Sequence, residues 1–101
     1  MERVCLAEDL SFSRIIHGFW RLADWDYSSD QVLDLIEYCI EQGVTTFDHA
    51  DIYGGFVCEE LFGKALALKP ELREKMEIVT KCGIVFPSPN RPEHKSHHYN
   101  T

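Results

Sequence analysis

Three side chains in this 101-residue sequence are of the types that could move a proton together: Asp48, Tyr53 and Lys81. A tyrosine phenol titrates near 10 when nothing perturbs it, too high for an efficient general acid near neutral pH. A lysine ammonium within hydrogen-bond reach favours the phenolate and lowers that value. A carboxylate beside the lysine keeps it charged and fixes its direction. Such a trio suits carbonyl reduction, in which hydride arrives at carbon and the oxygen takes up a proton. Singly, each residue has a plainer explanation. Asp48 can cap a turn, Tyr53 can be a loop aromatic, Lys81 can be a surface lysine, and Asp-x-x-x-x-Tyr alone is a weak pattern. The trio gains weight only if the fold gathers it.

The flanking elements supply that condition. Ser28-x-x-Gln31 is a capping-box pattern, followed at helical spacing by Val32, Leu35, Ile36, Cys39 and Ile40, with Gly43 where a closing glycine belongs; this predicts a helix over 29–42. Val44 to Asp48 is β-branched and aromatic and predicts a strand over 44–48. Cys58, Leu61, Phe62, Ala65 and Leu66 make a second helical stripe over 57–68, ended by Pro70, and Glu71 to Lys75 adds one more turn. A third strand is expected over 76–81. Upstream, residues 3–14 read as a hairpin around Glu8-Asp9-Leu10, and 14–18 as a short buried strand ending at Gly18. Pro87, Pro89 and Pro92 fall in a polar tail, and 84–101 is expected to be loop.

The order is therefore β-α-β-α-β, an α/β arrangement of parallel crossover units. In parallel barrels the C-terminal strand ends gather on one face, where active sites form. Asp48 and Lys81 sit at such ends, and Tyr53 follows in the loop. Three parallel strands and two helices leave open sheet edges, whereas parallel sheets are normally buried. A closed barrel takes about 250 residues. The sequence is therefore expected to be an N-terminal piece of a larger barrel, its edges covered by the remainder or by self-association.

Composition narrows the function. Seventeen acidic against 10 basic side chains give a net charge of −7, with no Lys/Arg cluster, which argues against nucleic acid. No apolar run is long enough to span a membrane and the N-terminus lacks a signal-peptide pattern, so a cytoplasmic location is expected. Cys5, Cys39, Cys58 and Cys82 form no Cys-x-x-Cys. Cys39 and Cys58 lie on helical stripes and read as buried thiols, and little weight falls on Cys82 as a reactive thiol despite its neighbour Lys81. His94, His97 and His98 lie in a prolyl, polar segment and read as solvent loop rather than metal ligands. Gly54-Gly55 lacks the Gly-x-Gly-x-x-Gly phosphate fingerprint. Trp20 and Trp25 read as core or pocket-lining aromatics.

Gly43-Val44-Thr45-Thr46-Phe47-Asp48-His49-Ala50-Asp51-Ile52-Tyr53-Gly54 resembles the aldo-keto reductase signature, Gly-x-x-x-x-Asp-Thr-Ala-x-x-Tyr-Gly. Ile78-Val79-Thr80-Lys81-Cys82-Gly83 resembles the strand bearing that family's catalytic lysine, and Gly18-Phe19-Trp20-Arg21-Leu22 is similar to its first strand-end loop. Glu59-x-x-x-Gly63-x-Ala65-Leu66 fits the helix that follows the tyrosine. The likeness is nearest to bacterial oxidoreductases carrying Asp-His-Ala-Asp-Ile-Tyr-Gly-Gly.

The resemblance implies a (β/α)8 TIM barrel with an N-terminal hairpin plugging its base, NADP(H) as hydride carrier and a small aldehyde, ketone or sugar-like substrate. Asp48, Tyr53 and Lys81 would be three of four catalytic residues, with Tyr53 as general acid. Gly18, Phe19, Trp20 and Asp48 would meet the cofactor, and Trp20 and Tyr53 would line the substrate pocket. His49 stands where the signature has threonine and is expected to tune local hydrogen bonding. The family's fourth catalytic group, a histidine after the fourth strand, has no counterpart here, and the family's main cofactor phosphate contacts belong to a later part of the barrel. Little activity is expected of these 101 residues alone. The alternative is a non-enzymatic scaffold or regulatory binding protein that retains the fold; the Asp48, Tyr53 and Lys81 set weighs against it.

Overall fold

In the computed structural model, which describes residues 2–82, 84–85 and 97–98, the chain opens with an antiparallel hairpin of β1 (Arg3–Ala7) and β2 (Leu10–Ser13). Next come β3 (Ile16–Gly18), a 3-10 turn (Leu22–Trp25), α1 (Ser29–Glu41) and β4 (Thr46–Asp48). A helical turn α2 (Tyr53–Phe56), the helix α3 (Cys58–Ala67), a second 3-10 stretch (Pro70–Lys75) and β5 (Glu77–Val79) follow. β3, β4 and β5 form a parallel sheet in that order, so β3 and β5 are its edges among the described residues. The described residues form an α/β layer and close no barrel.

Local chemistry accounts for the helix ends. The Ser28 hydroxyl accepts the Gln31 amide at 3.2 Å while Gln31 Oε1 accepts the Ser28 amide at 2.8 Å, which completes the capping box. At the other end Gly43 takes φ 80°, Gly43 N donates to Ile40 O and Val44 N to Cys39 O, each at 2.9 Å. That is the Schellman closure, and it needs the glycine because left-handed φ is costly for other residues.

The strands are shorter than the stretches 14–18, 44–48 and 76–81 expected from pattern, because their outer residues bond elsewhere. Val44 closes α1, and Thr45 N donates to Ser13 Oγ at 3.2 Å. The stretch 84–101, expected to be loop throughout, contains β6 (Ile84–Val85) paired antiparallel with β7 (His97–His98). Ile84 and Val85 are β-branched and suit a pleated strand; the prolines between the two strands pointed toward loop.

The core lies between the sheet and the two main helices. Val32 and Ile36 from α1, Phe62 and Ala65 from α3, and Phe47 from β4 are all buried. Cys39 and Cys58 are buried free thiols, and burial raises both above the ordinary thiol value. The hairpin reaches the N-terminal end of the sheet. Ser13 is buried there, with its amide donating to Thr46 Oγ1 at 2.9 Å and its hydroxyl accepting the Thr46 amide at 3.1 Å. Arg3 donates to Glu77 Oε1 at 2.7 Å and to Thr45 Oγ1 at 2.9 Å. Among the described residues, no helix is long and apolar enough to cross a membrane.

Candidate active site

Strand alternation places the site. Phe47 packs on Phe62 with ring centroids 5.8 Å apart, so it faces the helices; its neighbours Thr46 and Asp48 face the other way. Asp48 pairs with Val79 in the parallel register, and Lys81, two positions beyond Val79, returns to the same face. The Lys81 ammonium donates to Asp48 Oδ1 at 2.5 Å and to the His49 carbonyl at 2.7 Å. The Tyr53 hydroxyl donates to Asp48 Oδ2 at 3.3 Å. Each oxygen of the Asp48 carboxylate thus holds one of the two other residues, and Lys81 Nζ lies 5.3 Å from the centre of the Tyr53 ring. Backbone bonds stitch the two strand ends together: His49 N donates to Val79 O at 2.7 Å and Asp51 N to Lys81 O at 3.0 Å.

Partial burial alone would lower the Lys81 pKa. The hydrogen bond and charge of Asp48, with a smaller contribution from Tyr53, outweigh it and raise the ammonium above the ordinary lysine value. Lys81 therefore stays charged through the neutral range.

Tyr53 is aimed by an unusual turn. Gly54 and Gly55 take φ of +64° and +66°, and Phe56 +72°. A Cβ on Gly54 would stand 2.6 Å from Cys58 Sγ and 3.1 Å from Ala23 Cβ, so the glycine meets both a backbone and a packing demand. The turn sends the chain directly into α3.

Of the residues expected to meet a cofactor, Gly18 is level with Asp48 in the sheet, and a Cβ built there has nothing within 4 Å. That leaves open room beside the carboxylate. Trp20 is 63% exposed, with the Arg21 guanidinium 4.8 Å from its ring. The Phe19 side chain is fully buried, stacked on His49 with centroids 5.0 Å apart. It sits one position beyond Gly18 at the strand end and so turns toward the helices rather than toward the open face.

His49 was expected to tune local hydrogen bonding, and neither of its ring nitrogens has a partner among the described residues. The ring is buried against both Phe19 and Phe62, edge-on to the latter at 4.3 Å. The bonding is done by its backbone. Behind it lies a groove of about 220 Å³ lined by His49, Glu59, Phe62, Gly63, Leu66 and Ile78. A further link, not expected from the sequence, is the Thr80 hydroxyl donating to the Glu59 carboxylate. Alternation held the signal: Thr80 must face opposite to Lys81, toward α3. Among the described residues no group of three His, Cys, Asp or Glu side chains could hold a metal, and the side chains of His94, His97 and His98 lie outside those residues.

A family model described as "Aldo/keto reductase family" matches residues 14–101. The chain is 68% identical over 101 residues to a Bacillus subtilis protein named "Uncharacterized oxidoreductase YcsN" and 50% identical over 102 residues to "Oxidoreductase YdhF" of Escherichia coli. It is 47% identical over 102 residues to "6-dehydroglucose reductase" of Agrobacterium fabrum. In each case 100% of this chain is matched, and it spans 34% of the relative's length.

Proposed function

The chain belongs to the aldo-keto reductase family, and from that premise we propose that the protein reduces aldehyde, ketone or sugar-like carbonyl groups to alcohols with NADP(H), using Tyr53 as general acid. The observation that carries this reading is the carboxylate of Asp48 holding Tyr53 by one oxygen and Lys81 by the other. Two residues with proton chemistry and their common anchor meet at two adjacent parallel strand ends.

A nicotinamide cofactor, when bound, supplies the hydride. The open room at Gly18 beside Asp48 fits a flat ring, and the exposed Trp20 would bound the substrate side. The chain's own residues handle the proton. The Tyr53 hydroxyl leaves Asp48 and donates to the developing alkoxide of the substrate. Lys81, held charged by Asp48, stabilises the phenolate that remains. Asp48 keeps the ammonium in place against the pull of solvent.

This reading further places the chain in a (β/α)8 barrel whose other strands cover the edges of β3 and β5, in a reducing cytoplasmic setting that suits the free Cys39 and Cys58. The name of the Agrobacterium relative supports a sugar aldehyde as the first substrate to try. The test is NADPH oxidation by the full-length protein with a panel of sugar aldehydes and simple ketones, alongside Tyr53→Phe. Turnover that Tyr53→Phe abolishes is expected. Absence of both turnover and NADPH binding would sink the proposal and favour a scaffold role.

A further inference from the structure

We propose that His49 is a positioning residue for the Asp48, Tyr53 and Lys81 cluster: its ring, packed against both Phe19 and Phe62, fixes the backbone carbonyl that aims the Lys81 ammonium. The proposal rests on the catalytic reading above. Residue 49 is where three elements meet. Its amide donates to Val79 O at 2.7 Å and its carbonyl accepts from Lys81 Nζ at 2.7 Å, so both of its backbone groups are tied to the β5 side. Its ring lies nearly parallel to Phe19, at 4°, and edge-on to Phe62 at 66°. Phe19 in turn is bound to the same strand end, since its amide donates to Asp48 O at 3.1 Å. A displacement of the ring therefore moves the Lys81 acceptor and the segment leading to Trp20 together.

The ring's shape is what matters, because its nitrogens make no hydrogen bond among the described residues. A side chain without a ring would leave the space beside the touching Phe19 and Phe62 rings empty and join it to the adjoining groove. A cation there would be poorly placed. Burial disfavours it first of all; Glu59 from α3 and Asp48 from β4 attract it, while Lys81 beyond β5 repels it, and the balance lies below the ordinary histidine value. The Phe19 segment and Phe62 offer only ring faces and edges. Protonating His49 therefore loosens this packing, and the site loses its aim in acid.

The test uses the full-length protein as wild type, His49→Phe and His49→Ala, with folding checked by circular dichroism. His49→Phe keeps a ring and cannot titrate. It is expected to retain kcat within about threefold of wild type at neutral pH and to lack the wild type's acid decline. His49→Ala is expected to lose kcat roughly tenfold or more, with a much smaller change in KM for the carbonyl. The idea is overturned if His49→Ala matches wild type, or if His49→Phe falls as far as His49→Ala. A readout independent of turnover is the NMR shift of Lys81 Nζ across acid pH. It should move as the His49 ring titrates and stay still in His49→Phe; a Lys81 signal indifferent to His49 overturns the proposal. If the protein proved to have no reductase activity, the catalytic reading would fail while this titration still decided whether His49 braces Lys81.

Discussion

Tyr53 Oη lies 3.3 Å from Asp48 Oδ2 and is the donor in that bond. The phenol is thus parked on a carboxylate, which the proposed role requires it to release to serve a substrate. Removing the hydroxyl costs the site its proton and little of its packing. For Tyr53→Phe a loss in kcat of about a hundredfold or more is expected, the usual scale for a general acid. Cofactor affinity, read by NADPH fluorescence, should stay near wild type. A variant that kept full turnover would remove Tyr53 from the chemistry.

Lys81 carries a pH dependence of definite sign. Its folded pKa is raised above the ordinary value of 10.5. The stabilisation it brings is therefore fully present below that value and is lost as pH rises through the higher folded one. Lys81→Met should abolish this alkaline loss in thermal melts recorded across the basic range, and should also reduce kcat by about tenfold or more. Lys81→Arg should rescue poorly, because a planar guanidinium does not reproduce the geometry of one nitrogen shared between Asp48 Oδ1 and the His49 carbonyl.

Glu77 has the opposite sign. Burial alone would raise its carboxyl, but Arg3, Thr46 and Thr45 outweigh this and bring it below the ordinary 4.5. Its contribution is present above 4.5 and is lost as pH falls through the lower folded value. Glu77→Gln should cost about 1 kcal/mol near neutral pH, a figure kept small because solvent reaches the Arg3 side of the pair. Urea denaturation of both proteins over the acid range should show the difference shrinking as the wild-type carboxylate takes up its proton.

Gly54→Ala should destabilise the protein by roughly 1–3 kcal/mol, through left-handed backbone strain and the approach to Cys58 Sγ. Adding Cys58→Ala relieves the contact and leaves the strain. The double variant should therefore be less destabilised than the sum of the singles, a coupling that thermal melts can measure. Strict additivity would mean the contact with Cys58 carries none of the cost.

Much of this site was legible from residues alone, and the reasons are physical. The capping box at Ser28 and Gln31, the glycine closure at Gly43 and the two apolar stripes are local codes, so α1 and α3 could be read directly. Asp48 and Lys81 could be brought to one place because parallel crossovers carry strand ends to a common face. What escaped was set by which way a side chain turns at a strand's end. Phe19 follows Gly18 into the core, His49 follows Asp48 into the aromatic layer, and Thr80 turns from Lys81 to Glu59. Alternation has period two, so an uncertainty of one residue in a strand's end reverses these assignments. The Arg3 to Glu77 bond was beyond reach for a different reason: it spans 74 residues, and no local pattern encodes it.

That same bond has a consequence in time. The acceptor it needs, Glu77 with Thr45 and Thr46 beside it, exists only after β4 and β5 have found their register. The hairpin closes on itself locally and its Ser13 bonds need only β4, but the Arg3 bond to Glu77 must wait for β5 to pair. A contact of such long range forms slowly because loop closure comes before any reward. Only the Arg3–Glu77 bond ties the hairpin to both strands that lead to Asp48 and Lys81, and it can form only once they lie side by side.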